Sequence, residues 1–178
     1  MRKLALSLLA LASLTIASAS DTPPSANDLI TAARASGAVQ HKNVMIIFHA
    51  SWCGWCHKFE KFMNLPQFKP LFEKNYEIVR LDTMENEDKK NLENEGSDKV
   101  MASFGGTGQG IPFFAVTSPK GKVLFTSMRP DPKKKEGVNI GHPAAPEEVA
   151  YFVTVLQKTS KMSPTEIATI EAWLKAQK

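Results

Sequence analysis

The chain holds two cysteines, Cys53 and Cys56, set in the run Ser51-Trp52-Cys53-Gly54-Trp55-Cys56-His57-Lys58. A pair this close can exchange a disulfide, ligate a metal or attach haem, and its setting decides among these chemistries. An apolar run, Val44-Met45-Ile46-Ile47-Phe48, precedes it, and an amphipathic segment, Phe59 to Leu65, follows. That pattern predicts a buried strand, a tight turn carrying Cys53 and a helix that starts at the turn. Unpaired backbone N–H groups and the positive end of the helix dipole converge at such a turn. The field favours thiolate over thiol, so Cys53 is expected to titrate below the ~8.5 of a free cysteine. Cys56, one helical turn on, is expected beneath it and within disulfide reach. In the expected division of labour Cys53 attacks a partner's disulfide and Cys56 resolves the mixed disulfide. A loop of two residues hardly constrains an unfolded chain, so the pair is poorly suited to stapling.

Two other chemistries share the pattern. Cys53-Gly54-Trp55-Cys56-His57 matches the attachment motif of c-type haem, with His57 as proximal ligand and Met101 or Met128 as distal ligand. Its position directly after a buried strand argues against that reading. Zinc on both cysteines and two of His41, His49, His57 and His142 lacks a second closely spaced ligand pair. Trp52 and Trp55 are the candidate substrate-contacting side chains at the mouth of the pair. Trp55 would offer an apolar docking surface, and Trp52 would also brace the turn.

The elements that position this motif follow from periodicity and punctuation. Ser25 to Asp28 caps a helix that is expected to run to Ser36 and end at Gly37. A strand over Val44 to Ala50 leads into the cysteine turn. The helix behind Cys56 should break at Asn64-Leu65-Pro66. A short helix near Pro70 to Lys74 and a strand over Tyr76 to Asp82 complete a βαβ unit, whose strands should be parallel. Glu85 to Glu95 carries one apolar residue, Leu92, and reads as a solvated face or loop. Val100 to Phe104 resumes an apolar pattern. Gly105 to Gly110 lacks the context of a phosphate cradle and reads as a connection. Ile111 to Thr117 and Lys122 to Ser127 flank a turn at Ser118-Pro119-Lys120-Gly121, which predicts an antiparallel hairpin. Arg129 to Pro143 is expected to be a long loop. Pro146-Glu147-Glu148 opens a helix with Val149, Phe152, Val153 and Leu156 on one face. Ser163 and Glu166 form a capping box for a last helix, expected to pack on the same domain.

The first residues read as a sorting signal: Arg2 and Lys3, an apolar run from Leu4 to Ile16 too short to span a bilayer, and Ala17-Ser18-Ala19 as a cleavage site. Residues 1–19 are thus expected to be removed and residues 20–178 to form one domain, with a core over about 43–158 and a C-terminal helix over about 163–177. Removal takes the formal net charge from +4 to +2, which is no nucleic-acid footprint. The mature chain is expected to be periplasmic or secreted, monomeric and not inserted in the membrane.

Strand, helix, strand, hairpin, helix, with the cysteine pair at the first strand–helix junction, resembles the thioredoxin fold. Phe48 to Cys56 and Gly110-Ile111-Pro112 carry the resemblance, which spans about Asn43 to Ser127. It implies an α/β, thioredoxin-like fold: a central mixed sheet flanked by helices, here with an extra C-terminal helix. It also implies that Pro112 is cis and faces the cysteines, and that the backbone of Ile111 receives an extended substrate segment. The run Cys56 to Phe62, followed by Pro66-Gln67-Phe68, is most similar to the periplasmic domains of thiol:disulfide interchange reductases. With Gly-Ile-Pro it implies a reductase; an oxidase or isomerase of the same fold is the alternative, and the intact cysteine pair speaks against a binding-only chaperone. The family often has a buried aspartate six residues before the first cysteine, where this chain has Ile47. Glu60, four residues after Cys56, lies on the same helical face and is the candidate replacement as proton acceptor. Such a cycle needs no bound cofactor; its partners are protein dithiols and disulfides.

Overall fold

The structure is a computed structural model and describes residues 22–177. The sorting signal and its cut after Ala19 lie outside these residues. Helix α1 (Ala26–Gln40) is followed by β1 (Asn43–His49), α2 (Gly54–Met63), α3 (Lys69–Asn75) and β2 (Tyr76–Asp82). After a 3-10 segment come α4 (Ser97–Ser103), β3 (Phe113–Thr117), β4 (Val123–Thr126), β5 (Met128–Asp131), β6 (Lys134–Asn139), α5 (Pro146–Thr159) and α6 (Pro164–Ala176). The main sheet has the order β2-β1-β3-β4. β1 is parallel to β2 and antiparallel to β3, and β4 closes the hairpin with β3.

This is the thioredoxin-like fold, a mixed sheet between helical layers. β1 is central because it is apolar on both faces. Met45 and Ile47 pack against α2, α5 and α6 on one side, while Val44, Ile46 and Phe48 pack against α1 and α4 on the other. Phe59, Phe62, Phe72, Phe114 and Phe152 fill the first side and fix the seat of α2. Helix α6 extends that layer: Trp173 stacks on Phe62 with ring centroids 5.2 Å apart. Its capping box forms, with Ser163 N–H donating to Glu166 at 2.6 Å and Glu166 N–H to Ser163 at 3.3 Å. Where α5 hands over to α6, the Tyr76 hydroxyl bonds Thr159 at 2.7 Å, and burial pushes that phenol up to about 12.

Three sequence expectations are corrected. Helix α1 does not stop at Gly37 but runs to Gln40, with His41 in the left-handed region as its C-cap. Gly37 serves close approach instead: a Cβ there would lie 2.8 Å from the Lys42 carbonyl as the chain turns back. Arg129 to Pro143 is not a long loop but contains the β5–β6 hairpin, a separate two-stranded sheet. Its strands are held by backbone pairing and carry exposed lysines, so no alternation betrays them. Asp131 organises its turn, accepting from Lys133 N–H at 2.8 Å and pairing with Arg129 at 3.3 Å. Finally, Glu85 to Glu95 is solvated over most of its length, yet Glu85 is only 3% exposed and Asn94 is buried too.

Candidate functional site

Cys53 ends the turn after β1 and is the N-cap of α2. Its Sγ accepts a hydrogen bond from Cys56 N–H at 3.1 Å, so the sulfur plays the part that a serine or aspartate oxygen usually plays at a helix start. Cys53 and Cys56 are joined in a disulfide with Cα atoms 5.2 Å apart, and both are 4% exposed. The Ile111 carbonyl oxygen lies 3.5 Å from Cys53 Sγ, and the Ile111–Pro112 peptide bond is cis. The structure therefore brings Cys53, Cys56, Ile111 and Pro112 together.

Two clamps hold this arrangement, and the sequence reading missed both. The Glu85 carboxylate accepts from Ser51 N–H at 2.5 Å and from Ser51 Oγ at 2.8 Å, two residues before Cys53. Thr83 N–H donates to the His49 carbonyl at 2.9 Å, so the chain leaving β2 is tied to the chain leaving β1. On the other side, Asn139 Nδ2 donates to the carbonyls of Gly110 at 2.7 Å and Pro112 at 3.2 Å, bracketing Ile111. Glu85 hid in a charge run and Asn139 in an apparent loop. Neither neighbourhood has a pattern that marks a buried or bridging side chain.

The two tryptophans differ in role. Trp52 is half-exposed and donates its Nε1 hydrogen to the Met84 carbonyl at 2.8 Å, which braces the turn. Trp55 is half-exposed, stacks on His142 with centroids 6.0 Å apart and has Lys58 Nζ 4.2 Å from its ring centre. His142 is buried and its Nδ1 has no hydrogen-bond partner. Burial holds the His142 imidazole below its ordinary pKa; Lys58 adds to the shift and Glu148 opposes it. A cleft of about 640 Å³ runs from Trp55 along Gly110, Ile111 and Pro112 to β6 and the start of α5. It has room for an extended segment beside the disulfide.

Glu60 forms an ion pair with Arg80, and both side chains are about one-third exposed. It also borders, with Cys56, Ile47, His49 and Phe59, a cavity of about 10 Å³. That is close to the space one water requires. His49 pairs with Asp82 at 3.5 Å. The Asp82 carboxyl is held above its ordinary pKa by burial, with His49 opposing and Glu85, Glu60 and Glu93 adding to the shift.

The arrangement favours the disulfide reading over the haem alternative. Both sulfurs are bonded to each other and buried, and His57 Nε2 turns back to the Ser51 carbonyl at 2.9 Å. Met101 and Met128 pack on the α1 side of the sheet, apart from the cluster that holds the cysteines. The histidines named for zinc are dispersed: His41 caps α1, His49 faces Asp82 and His142 packs on Trp55. Among the described residues no three His, Cys, Asp or Glu side chains gather as a metal site.

A family model described as thioredoxin-like matches residues 26–119. No curated protein matches the chain. Among solved structures, the chain is similar to a disulphide isomerase from Xylella fastidiosa Temecula1, with 25% identity over 66% of this chain and 80% of that one and a TM-score of 0.48. It is similar to a DsbH oxidoreductase at 19% identity, covering 86% and 94% with a TM-score of 0.44. It is also similar to the C-terminal domain of Neisseria meningitidis DsbD in the oxidised form, at 17% identity, covering 59% and 84% with a TM-score of 0.42.

Two outcomes are expected. Glu85→Ala leaves Ser51 without its acceptor and should cost about 2–3 kcal/mol in urea unfolding of the oxidised protein, with Glu85→Gln milder. For His142, the unfolded chain binds a proton more readily than the folded one, because the folded pKa is the lower. Stability should therefore decline as pH falls through about 6.5 and level off below the folded pKa. His142→Phe should flatten that part of the pH–stability curve, with Lys58 and Glu148 still in place.

Proposed function

This chain belongs to the thioredoxin-like family, and from that premise we propose that it is a protein-disulfide reductase working outside the cytoplasm, with Cys53 as nucleophile and Cys56 as resolving thiol. One observation carries the reading: the Cys53–Cys56 disulfide sits at the N-terminus of α2 with the Ile111 carbonyl against Cys53 Sγ. The Cys53 thiolate attacks one sulfur of a partner's disulfide, and the partner's other sulfur leaves as thiolate. Cys56 then gives up its proton and attacks Cys53 Sγ, releasing the partner's second sulfur. The partner gains two electrons and takes up two protons, and this chain ends as the disulfide. Another dithiol protein recharges it: one donor thiolate attacks Cys53 Sγ and frees Cys56, the donor's second thiol then releases Cys53, and the donor leaves as a disulfide, with no bound cofactor in the cycle.

The Ile111 backbone and Pro112 receive the substrate segment, and Trp55 provides the apolar contact at the mouth. Trp52 contributes its exposed edge while its indole N–H secures the turn. Glu60 takes the Cys56 proton across the small cavity they share, and Arg80 holds the carboxylate in place beside it. The reducing direction is supported by Gly110-Ile111-Pro112 and by the likeness of the run Cys56 to Phe62 to reducing members of the family. The location is supported by Arg2, Lys3 and the apolar run to Ile16, with residues 20–178 as the mature domain, acting as a monomer. No helix among the described residues is long and apolar enough to cross a membrane.

Cys56→Ser expressed in the native host should accumulate a reductant-sensitive mixed disulfide through Cys53, and Cys53→Ser should not. In the otherwise intact protein, Glu60→Gln should slow release of that intermediate near neutral pH by at least about tenfold, the low side of what positioned acid–base groups contribute. Stopped-flow measurement of release reads this directly. An unchanged rate removes Glu60 from the mechanism.

A further inference from the structure

A second cleft shares Trp55, His142 and Ala144 with the first and extends away from Ile111 toward α6. It measures about 760 Å³ and lies between α2, the start of α5 and the end of α6. Its floor is apolar, formed by Phe62, Leu65, Val149 and Trp173. Lys58, Lys61 and Lys175 stand around it, and neither aspartate nor glutamate lines it. Lys175 is paired with Glu171, but Lys58 and Lys61 have no carboxylate partner among the described residues. His142, 9% exposed, contributes to the wall.

We propose that this cleft docks an acidic segment of the redox partner, with an apolar or aromatic side chain between Trp55 and Trp173 and carboxylates beside Lys58 and Lys61. The inference rests on the exchange of disulfides with a protein partner and names the chemistry of that partner's flank. Cys53 is only 4% exposed, so a partner's disulfide reaches its sulfur only when the surrounding main chain lies against the mouth. Chain on one side of the partner's cysteine then runs along Ile111. Chain on the other side crosses Trp55 into this second cleft. Tryptophan walls give the segment its hold. The lysines select its sign of charge and speed the encounter.

The test uses the oxidised protein, so that no redox step enters. Its probes are a blocked hexapeptide carrying one phenylalanine among glutamates and the same peptide with glutamines in their place. In ¹⁵N-labelled protein the glutamate peptide should shift the indole N–H signals of both Trp55 and Trp173. At low ionic strength it should bind about tenfold more tightly than the glutamine peptide. Lys61→Glu, an exposed change, should bring its affinity down to that of the glutamine peptide. Equal affinity for the two peptides, or no response at Trp173, overturns the proposal. So does equally tight binding of 3-phenylpropionate, which would make the cleft a small-carboxylate site. Any of these results with dithiol exchange intact overturns the docking surface alone; loss of exchange in the unaltered protein would instead overturn the redox reading.

Discussion

The hydrogen bond from Cys56 N–H to Cys53 Sγ is the contact on which the rest of this molecule bears. It makes a sulfur the first acceptor of α2, at the point where the helix leaves its N–H groups unpaired. A thiolate satisfies that position better than a thiol does. In the proposed cycle the same contact would lower the cost of releasing Cys53 as a leaving group and raise its thiolate fraction. Everything around it serves to hold the turn still. β1 is buried on both faces and cannot shift. The Phe59, Phe62 and Phe152 cluster seats α2 from below. Glu85 grips the turn from the β2 side, and Asn139 grips the Ile111–Pro112 loop from the β6 side.

Much of this was legible from residue order. The apolar run before Cys53 and the alternation from Tyr76 to Asp82 are strong because β1 and β2 bury those side chains, and burial is what hydrophobic patterns record. The capping box at Ser163 and Glu166 is a local hydrogen-bond code and formed as read. Gly37 misled because glycine at a helix end has two causes, termination and close approach, and its spacing cannot separate them. The β5–β6 hairpin escaped notice because Lys134, Lys135 and Glu136 face water and its stability lies in backbone pairing. Glu85 escaped notice because its neighbours from Asn86 to Leu92 are exposed. A single carboxylate turned inward changes no average over such a run.

The charges around Cys56 differ from the usual pattern of the fold. Ile47 occupies the place where an aspartate often sits, so β1 carries no carboxylate beneath Cys56. The carboxylates gather at the edge instead: Glu60 with Arg80, and Asp82 with His49. Burial holds the Asp82 carboxyl above its ordinary range, with His49 opposing and Glu85, Glu60 and Glu93 adding to the shift. Moving the charge from the floor to the edge keeps Ile47 in the core while leaving Glu60 beside the cavity that Cys56 borders.

The proposed chemistry depends on the ionisation of Cys53 once the disulfide is opened. The rate of iodoacetamide labelling at that residue, followed from pH 4 to 10 in the reduced protein, measures it. A half-point well under the ~8.5 of an unperturbed cysteine, with Cys56 labelling slowly throughout, is the outcome this geometry requires. A half-point at or above that value would mean that the helix start does not stabilise the sulfur anion, and the assignment of Cys53 as attacking group would fail.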